Sequence, residues 1–119
     1  MGIGTTSPAS KLEVNGETKT SSLKVGNNGT PVSIVQKGTF TIGSNATAFK
    51  TVTVNFPNAF SSIPTLVATV KNDPGFNVND TFVASIRSIS NTSVTFNILR
   101  VDIAGGWTQN LLLDWIAVQ

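Results

Sequence analysis

The segment from Leu111 to Val118 has seven apolar residues and a single charge, Asp114, in eight positions. It is far too short to cross a membrane as a helix. Read as a strand, it places Leu112, Asp114, Ile116 and Val118 on one face and Leu111, Leu113, Trp115 and Ala117 on the other. A strand that is apolar on both faces needs cover on both. In a domain with one sheet-on-sheet core, the simplest second cover is another copy of the chain.

The sequence before it breaks into short alternating runs separated by turn chemistry, the spacing of a sandwich or barrel. Val32 to Gln36 and Thr39 to Ile42 read as strands. In Phe49 to Phe56, Val52, Val54 and Phe56 alternate with Thr51, Thr53 and Asn55, the pattern of a half-buried strand. Pro57 and the Ser61 to Pro64 stretch end that run. Thr65 to Lys71 resumes it with Leu66, Ala68 and Val70 on one face, and the residues from Asn72 to Gly75 form a strong turn signal. Thr81 to Ile89, with Phe82, Ala84 and Ile86 on one side, turns at Asn91 and Thr92 into Ser93 to Val101, where Val94, Phe96 and Ile98 face inward. No window has a helical period, so the chain is expected to be all-β.

Residues 1–31 differ. They are rich in Gly, Ser, Thr and Asn, and their apolar content is small pairs such as Leu12 with Val14 and Leu23 with Val25. Such a stretch cannot bury enough surface by itself to offset its ordering entropy. The expected organisation is a stalk or linker over 1–31 and a folded β domain over 32–119.

Composition narrows the function. Among 119 residues, eight Lys and Arg oppose six Asp and Glu, a net charge of +2, and the basic residues are scattered from Lys11 to Arg100. No cluster could track a phosphate backbone, so nucleic acid is not an expected partner. There is no Cys and no His. Disulfides, zinc sites of the usual type and triads built on His are therefore excluded, and any catalysis would rest on six carboxylates in a body too small for a deep cleft. The expectation is a non-enzymatic protein without a cofactor. The N-terminus has neither a basic start nor an apolar run, and no stretch approaches 20 apolar residues, so neither a signal peptide nor membrane insertion is expected.

Two polar loops are the candidates for binding. Asp73 to Asp80 collects oxygen ligands, including Asn79 and Asp80, but lacks the alternating acid pattern of an EF-hand, and turn formation is the better explanation of its Asn and Asp. Ala104 to Asn110 interrupts the last hairpin with two glycines, a tryptophan and polar side chains. An indole suits the apolar side of a sugar ring, and neighbouring amides and carboxylates suit its hydroxyls. Trp107, Asp102, Gln109, Asn110, Asp80 and Asn79 are accordingly the candidate carbohydrate contacts. The alternative is that Trp107 folds back as a lid over the sandwich end or packs on a neighbouring subunit. Trp115 belongs to the core. Asp114, costly if unpaired in its apolar strand, is expected to pair with Arg87 or Arg100 or to meet its own copies near a symmetry axis. Asn-x-Ser/Thr sequons at Asn28, Asn45, Asn79 and Asn91 carry little weight in a chain this rich in Asn and Thr.

Two stretches resemble known families. Gly2-Ile3-Gly4-Thr5-Thr6-Ser7-Pro8, followed by Lys11-Leu12-Glu13-Val14-Asn15-Gly16, resembles a shaft segment of phage tail fibres and related bacterial surface fibres, where it contributes to a trimeric shaft. Residues from Lys37 to Gln119 resemble the H-type lectin domain in the order of their strands, and most clearly at Val52 to Pro57, Ile63 to Val67, Ser88 to Val94 and Asp114 to Val118. That resemblance implies a six-stranded antiparallel β-sandwich, assembled as a homotrimer, that binds N-acetylgalactosamine or related sugars between subunits. The family's ligand positions are not matched. Its arginine is absent near Thr81, Asp102 and Ile103 stand where snail lectins have a Trp-His pair, and its Asp-Gly loop has no counterpart, so its sugar specificity does not carry over.

Together these features lead to one expectation, a trimeric receptor-binding module at the tip of a phage tail fibre or similar extracellular fibre. It would follow an upstream fibre shaft and recognise a cell-surface glycan, either polysaccharide or lipopolysaccharide. The rival expectation is a structural trimerisation or tip cap of the virion fibre with no sugar ligand.

Overall fold

A computed structural model describes residues 2–7, 9–10, 12–21, 34–75 and 79–119, in two compact units, Met1–Pro31 and Val32–Gln119. In the first unit, β1 (Gly2–Ile3) pairs in parallel with β2 (Glu13–Val14). The Asn15 N–H donates to the Ile3 carbonyl at 2.9 Å, and the Ala9 N–H donates to the Glu13 carboxylate. Ile3 and Leu12 stay largely exposed, as expected of a segment with too little apolar surface to form a core. The Leu23 and Val25 pair and the sequon at Asn28 lie outside the described residues.

The second unit is all-β. Its described residues form six strands, β3 (Val35–Asn45), β4 (Phe49–Asn55), β5 (Thr65–Lys71), β6 (Phe82–Ile89), β7 (Ser93–Arg100) and β8 (Trp107–Val118). They form two three-stranded antiparallel sheets, ordered β3-β8-β5 and β4-β7-β6. One core joins the inner faces. Ile42, Leu66, Trp107, Leu111, Leu113, Trp115 and Ala117 come from the first sheet, and Val52, Val54, Val94, Phe96 and Ile98 from the second. Phe56 and Phe60 close one end, edge-on to each other at 5.1 Å between ring centres, and Phe56 also meets Trp115 at 5.6 Å.

Two departures from the expected strands have local causes. The two strands expected over 32–42 are one, because Gly38 does not break β3. It pairs with Trp115, and a Cβ there would stand 3.1 Å from the indole, so glycine lets the ring lie across the strand. The final strand starts at Trp107 rather than Leu111. Its inner face is Trp107, Gln109, Leu111, Leu113, Trp115 and Ala117, all buried. Leu112, Asp114 and Val118 on the outer face are half-buried, and Ile116 is exposed. Within one chain, therefore, β8 is covered on one side.

The strands place their connections at two ends. At one, Ile34 and Gln119 exchange backbone hydrogen bonds of 3.0 and 3.1 Å, and the 56–64 and 90–92 connections lie nearby. The Phe60 N–H donates to the Asn91 carbonyl at 2.8 Å, and the Ser61 N–H to the Gln119 side chain at 3.1 Å. At the other end, away from where the chain enters, are the connections after Asn45, Lys71 and Arg100.

Candidate functional site

All six residues expected to contact sugar fall at that distal end. Alternation within β8 explains what happens to two of them. Trp107 and Gln109 share the parity of Leu111, Leu113 and Trp115, so they point into the core and are 3% and 2% exposed. Gly106 makes the turn into β8 possible. A Cβ there would meet the Asn45 carbonyl oxygen at 2.1 Å, so only glycine lets the 101–106 loop run so close to the β3–β4 connection. Trp107 therefore folds back over the end of the sandwich, the alternative to its standing free as a sugar contact. Its indole N–H donates to the Gly43 carbonyl at 2.7 Å, and its ring meets Phe82 edge-on at 5.2 Å. The buried ring has both an apolar shell and a partner for its one polar atom.

The charged candidates belong to a single network centred on Arg100. Its guanidinium lies 2.6 Å from Asp80, 3.0 Å from Asp102 and 2.6 Å from the Gly106 carbonyl. Its side chain is 9% exposed, those of Asp80 and Asp102 are 18% and 26% exposed, and every ion in the network has hydrogen bonds to satisfy it. Gln109 donates its amide to the other Asp80 oxygen at 2.7 Å. Asp102 also accepts the Thr81 N–H at 3.0 Å. The Arg100 hydrogen bond, with that of Thr81 second, holds the Asp102 carboxyl at about 2, and the Asp102 carboxylate in turn raises Arg100. The network ties the 79–81 segment, the end of β7 and the 101–106 loop to the start of β8.

Asn110 is half-buried and donates to Asp73 at 3.4 Å, while Asp73 also accepts the Gly75 N–H at 3.2 Å. Asn79 is exposed. Of the oxygen-rich loop, Phe76, Asn77 and Val78 lie outside the described residues, and among the described residues no three acids converge on a common point. Arg100 could have been found as the hub from its spacing of two from Asp102, but its third partner, Asp80, arrives only through the strand pairing.

Asp114 differs from expectation as well. It pairs with neither Arg87 nor Arg100. Strand register sets it on the outer face of the β3-β8-β5 sheet between Thr39 and Thr69, with Lys71 on the diagonal. It lies 2.6 Å from the Lys71 ammonium and accepts the Thr39 hydroxyl at 2.5 Å. Those two contacts, Lys71 first, keep its carboxyl below the usual carboxylate range. Its neighbours Thr39, Thr69 and Lys71 are polar, and the exposed apolar residues of the same face are Val35, Val67 and Ile116 at 56%, 64% and 39% exposure. A shallow groove of about 370 Å³ runs along it, lined by Lys37, Val67, Thr69, Asp114 and Ile116 among others.

The outward face of the β4-β7-β6 sheet has a different chemistry. Register aligns Phe49, Leu99 and Val83 in one row, Thr51, Asn97 and Ser85 in the next, and Thr53, Thr95 and Ser88 in a third. Thr51 donates to the Asn97 side-chain oxygen at 3.2 Å, and Thr53 and Thr95 share a hydrogen bond of 3.0 Å.

No family model matches this sequence, and no curated protein matches it. Solved structures do. The tailspike of Pseudomonas phage phi297 is similar over 71% of this chain at 19% identity with a TM-score of 0.58, the match spanning 15% of the tailspike chain. The R1 pyocin fibre of P. aeruginosa is similar over 71% of the chain at 25% identity and the same TM-score of 0.58, spanning 22% of that fibre chain. An N-truncated R1-type pyocin tail fibre matches over 71% at 23% identity with a TM-score of 0.56, spanning 69% of its chain. The chain thus covers less than a quarter of the first two, and its fold is one found in phage tailspikes and pyocin fibres.

Proposed function

We propose that this chain is the receptor-binding module of a phage tail fibre or related extracellular fibre, that it works as a homotrimer, and that it binds a cell-surface polysaccharide or lipopolysaccharide without catalysis. On this reading residues 1–31 continue an upstream shaft, and 32–119 form an H-type-lectin-like tip. The observation that carries it is the outward face of the β3-β8-β5 sheet. Val67 and Ile116 pair in an exposed row beside Lys37, and exposed Val35 stands in the next row, on a chain whose fold is shared with fibre proteins. Around a threefold axis, three such faces would cover one another and give β8 its second cover. Multivalent display would then turn weak single sites into useful avidity.

Sedimentation at working dilution tests the assembly. The expected species has three times the 12.5 kDa of one chain, and a folded, soluble single chain would overturn the reading. Binding to an array of purified bacterial surface glycans tests the ligand.

A second reading, a structural cap with no sugar ligand, is favoured by one specific observation. Trp107 and Gln109 are buried, and Asp80 and Asp102 are paired with Arg100, so the residues best suited to hold sugar are engaged inside the chain. A blank array from an intact trimer would select it.

A further inference from the structure

We infer that the outward face of the β4-β7-β6 sheet, and not the distal loops, is the surface that takes the glycan, and that the glycan is a neutral polysaccharide lying along the Phe49–Leu99–Val83 and Thr51–Asn97–Ser85 rows. The inference rests on the carbohydrate half of the proposed function and gives it a location. If the other sheet faces the symmetry axis, this one faces outward.

The chemistry is amphipathic at the scale of one sugar ring. Phe49, Leu99 and Val83 are 48%, 42% and 49% exposed, in register across three strands. An exposed phenyl ring at the end of a row continued by two aliphatic side chains offers the flat apolar contact that the C–H face of a pyranose needs. The next row stands about 7 Å further along the strands, with neighbouring strands about 5 Å apart. That distance brings Thr51 and Asn97 near the hydroxyls of a ring seated on Phe49, while Ser85, on the far edge strand, faces the next ring of a chain lying along the Leu99 and Val83 end of the row. Thr51 engages the Asn97 side-chain oxygen at 3.2 Å. This fixes the amide so that its two N–H donors remain for a ligand, and a donor set held by the sheet loses little freedom on binding.

Charge decides between ligand classes. The outward positions of β4, β7 and β6 are Phe, Thr, Asn, Ser, Leu and Val, with no carboxylate, and the one charged side chain beside them is the exposed Arg87 at the register shift of the edge strand. A polyanion would be matched by several cations and a cationic partner by acids. A face of hydroxyls and amides beside an apolar strip complements an uncharged polyol. The opposite sheet face, with Lys37, Lys71 and Asp114, has no such uniformity.

The test uses the full chain on an array of purified bacterial surface polysaccharides that includes neutral and uronic-acid-bearing members, followed by titration of the bound ones. Wild type is expected to retain neutral polymers. Phe49→Ala, Asn97→Ala and Ser85→Glu are each expected to weaken that binding by about tenfold or more, with melting temperature and sedimentation mass kept. All three side chains lie on the outer face, and Ser85 is an exposed edge-strand residue, so its variant separates binding from folding. If wild type binds and the three variants bind equally well, this location is wrong while the proposed function stands. Retention of acidic polymers alone, or a changed mass for Phe49→Ala, overturns the inference in favour of an anion site or of a contact between copies. A wild-type chain that binds no polysaccharide overturns both this inference and the carbohydrate half of the proposed function.

Discussion

The two sheets bury the same kinds of residue against each other, and both turn threonines and exposed apolar residues outward, but only the β3-β8-β5 face adds charges to its rows, Lys37, Lys71 and Asp114. On the β3-β8-β5 sheet, the outer rows mix Val35, Val67 and Ile116 with a Lys71–Asp114 ion pair. On the β4-β7-β6 sheet they are Thr51, Thr53, Thr95, Asn97 and Ser85, with an apolar strip at one end. Inner faces are interchangeable in character because each needs only to exclude water. Outer faces are not, because each is adapted to what lies beyond it, and a single chain with two unlike outer faces is suited to touch two unlike things.

The comparison can be broken or sharpened by substitution. Leu113→Ala, at a fully buried position on the inner face of the β3-β8-β5 sheet, should cost about 2–5 kcal/mol. Both sheets should then lose structure together in one denaturant transition. Two transitions would mean that the sheets do not share a core. Val67→Glu should set a charge beside Ile116 on the β3-β8-β5 outer face and shift the sedimenting species toward a single chain, while Thr53→Glu, at the matching level of the other sheet, should leave the mass unchanged. Equal effects from the pair would erase the distinction between the faces. Arg100→Met should lower the melting temperature more than Lys71→Ala does. The first strands Asp80 and Asp102 in a mostly enclosed network, whereas the second removes a partner whose side chain is 44% exposed.

The smallest expected effect is on acid stability. Asp102 sits at about 2 in the folded chain against an ordinary 3.8, so the unfolded chain takes up the proton first as the pH falls. The stability this supplies is complete above the ordinary value and is lost between about 4 and about 2. Asp102→Asn should flatten that part of the melting-temperature profile. The share due to Asp114, also lowered, should remain, and Asp114→Asn should remove it. An unchanged acid limb in Asp102→Asn would mean that the Arg100 network contributes nothing to acid stability.

Much of the fold was legible in the residues. Thr65 to Lys71 is a strand over those limits, and Phe49, Ser93 and the inward set Val94, Phe96 and Ile98 lie where alternation puts them. The signal for Trp107 was also present. The alternation that makes Leu111, Leu113 and Trp115 inward extends back through Gln109 to Trp107, but two glycines suggested a loop where the chain was making a close approach to Asn45. Ile86 departs from the expected pattern. Its parity is inward, yet it is 44% exposed beside the register shift in β6, an edge strand.

By itself, the order of residues determined that the second unit is all-β, which side of nearly every strand faces inward, and that thiol, imidazole and polycation chemistries are absent. Those properties follow from local period and composition, which act over a few residues. The partners of Asp114, Asp80 and Trp107, and the rows that set charges on one outer face and leave the other uncharged but for Arg87, were decided only by the tertiary structure. Each depends on the register between strands distant in sequence, and a shift of one residue in pairing would exchange every neighbour.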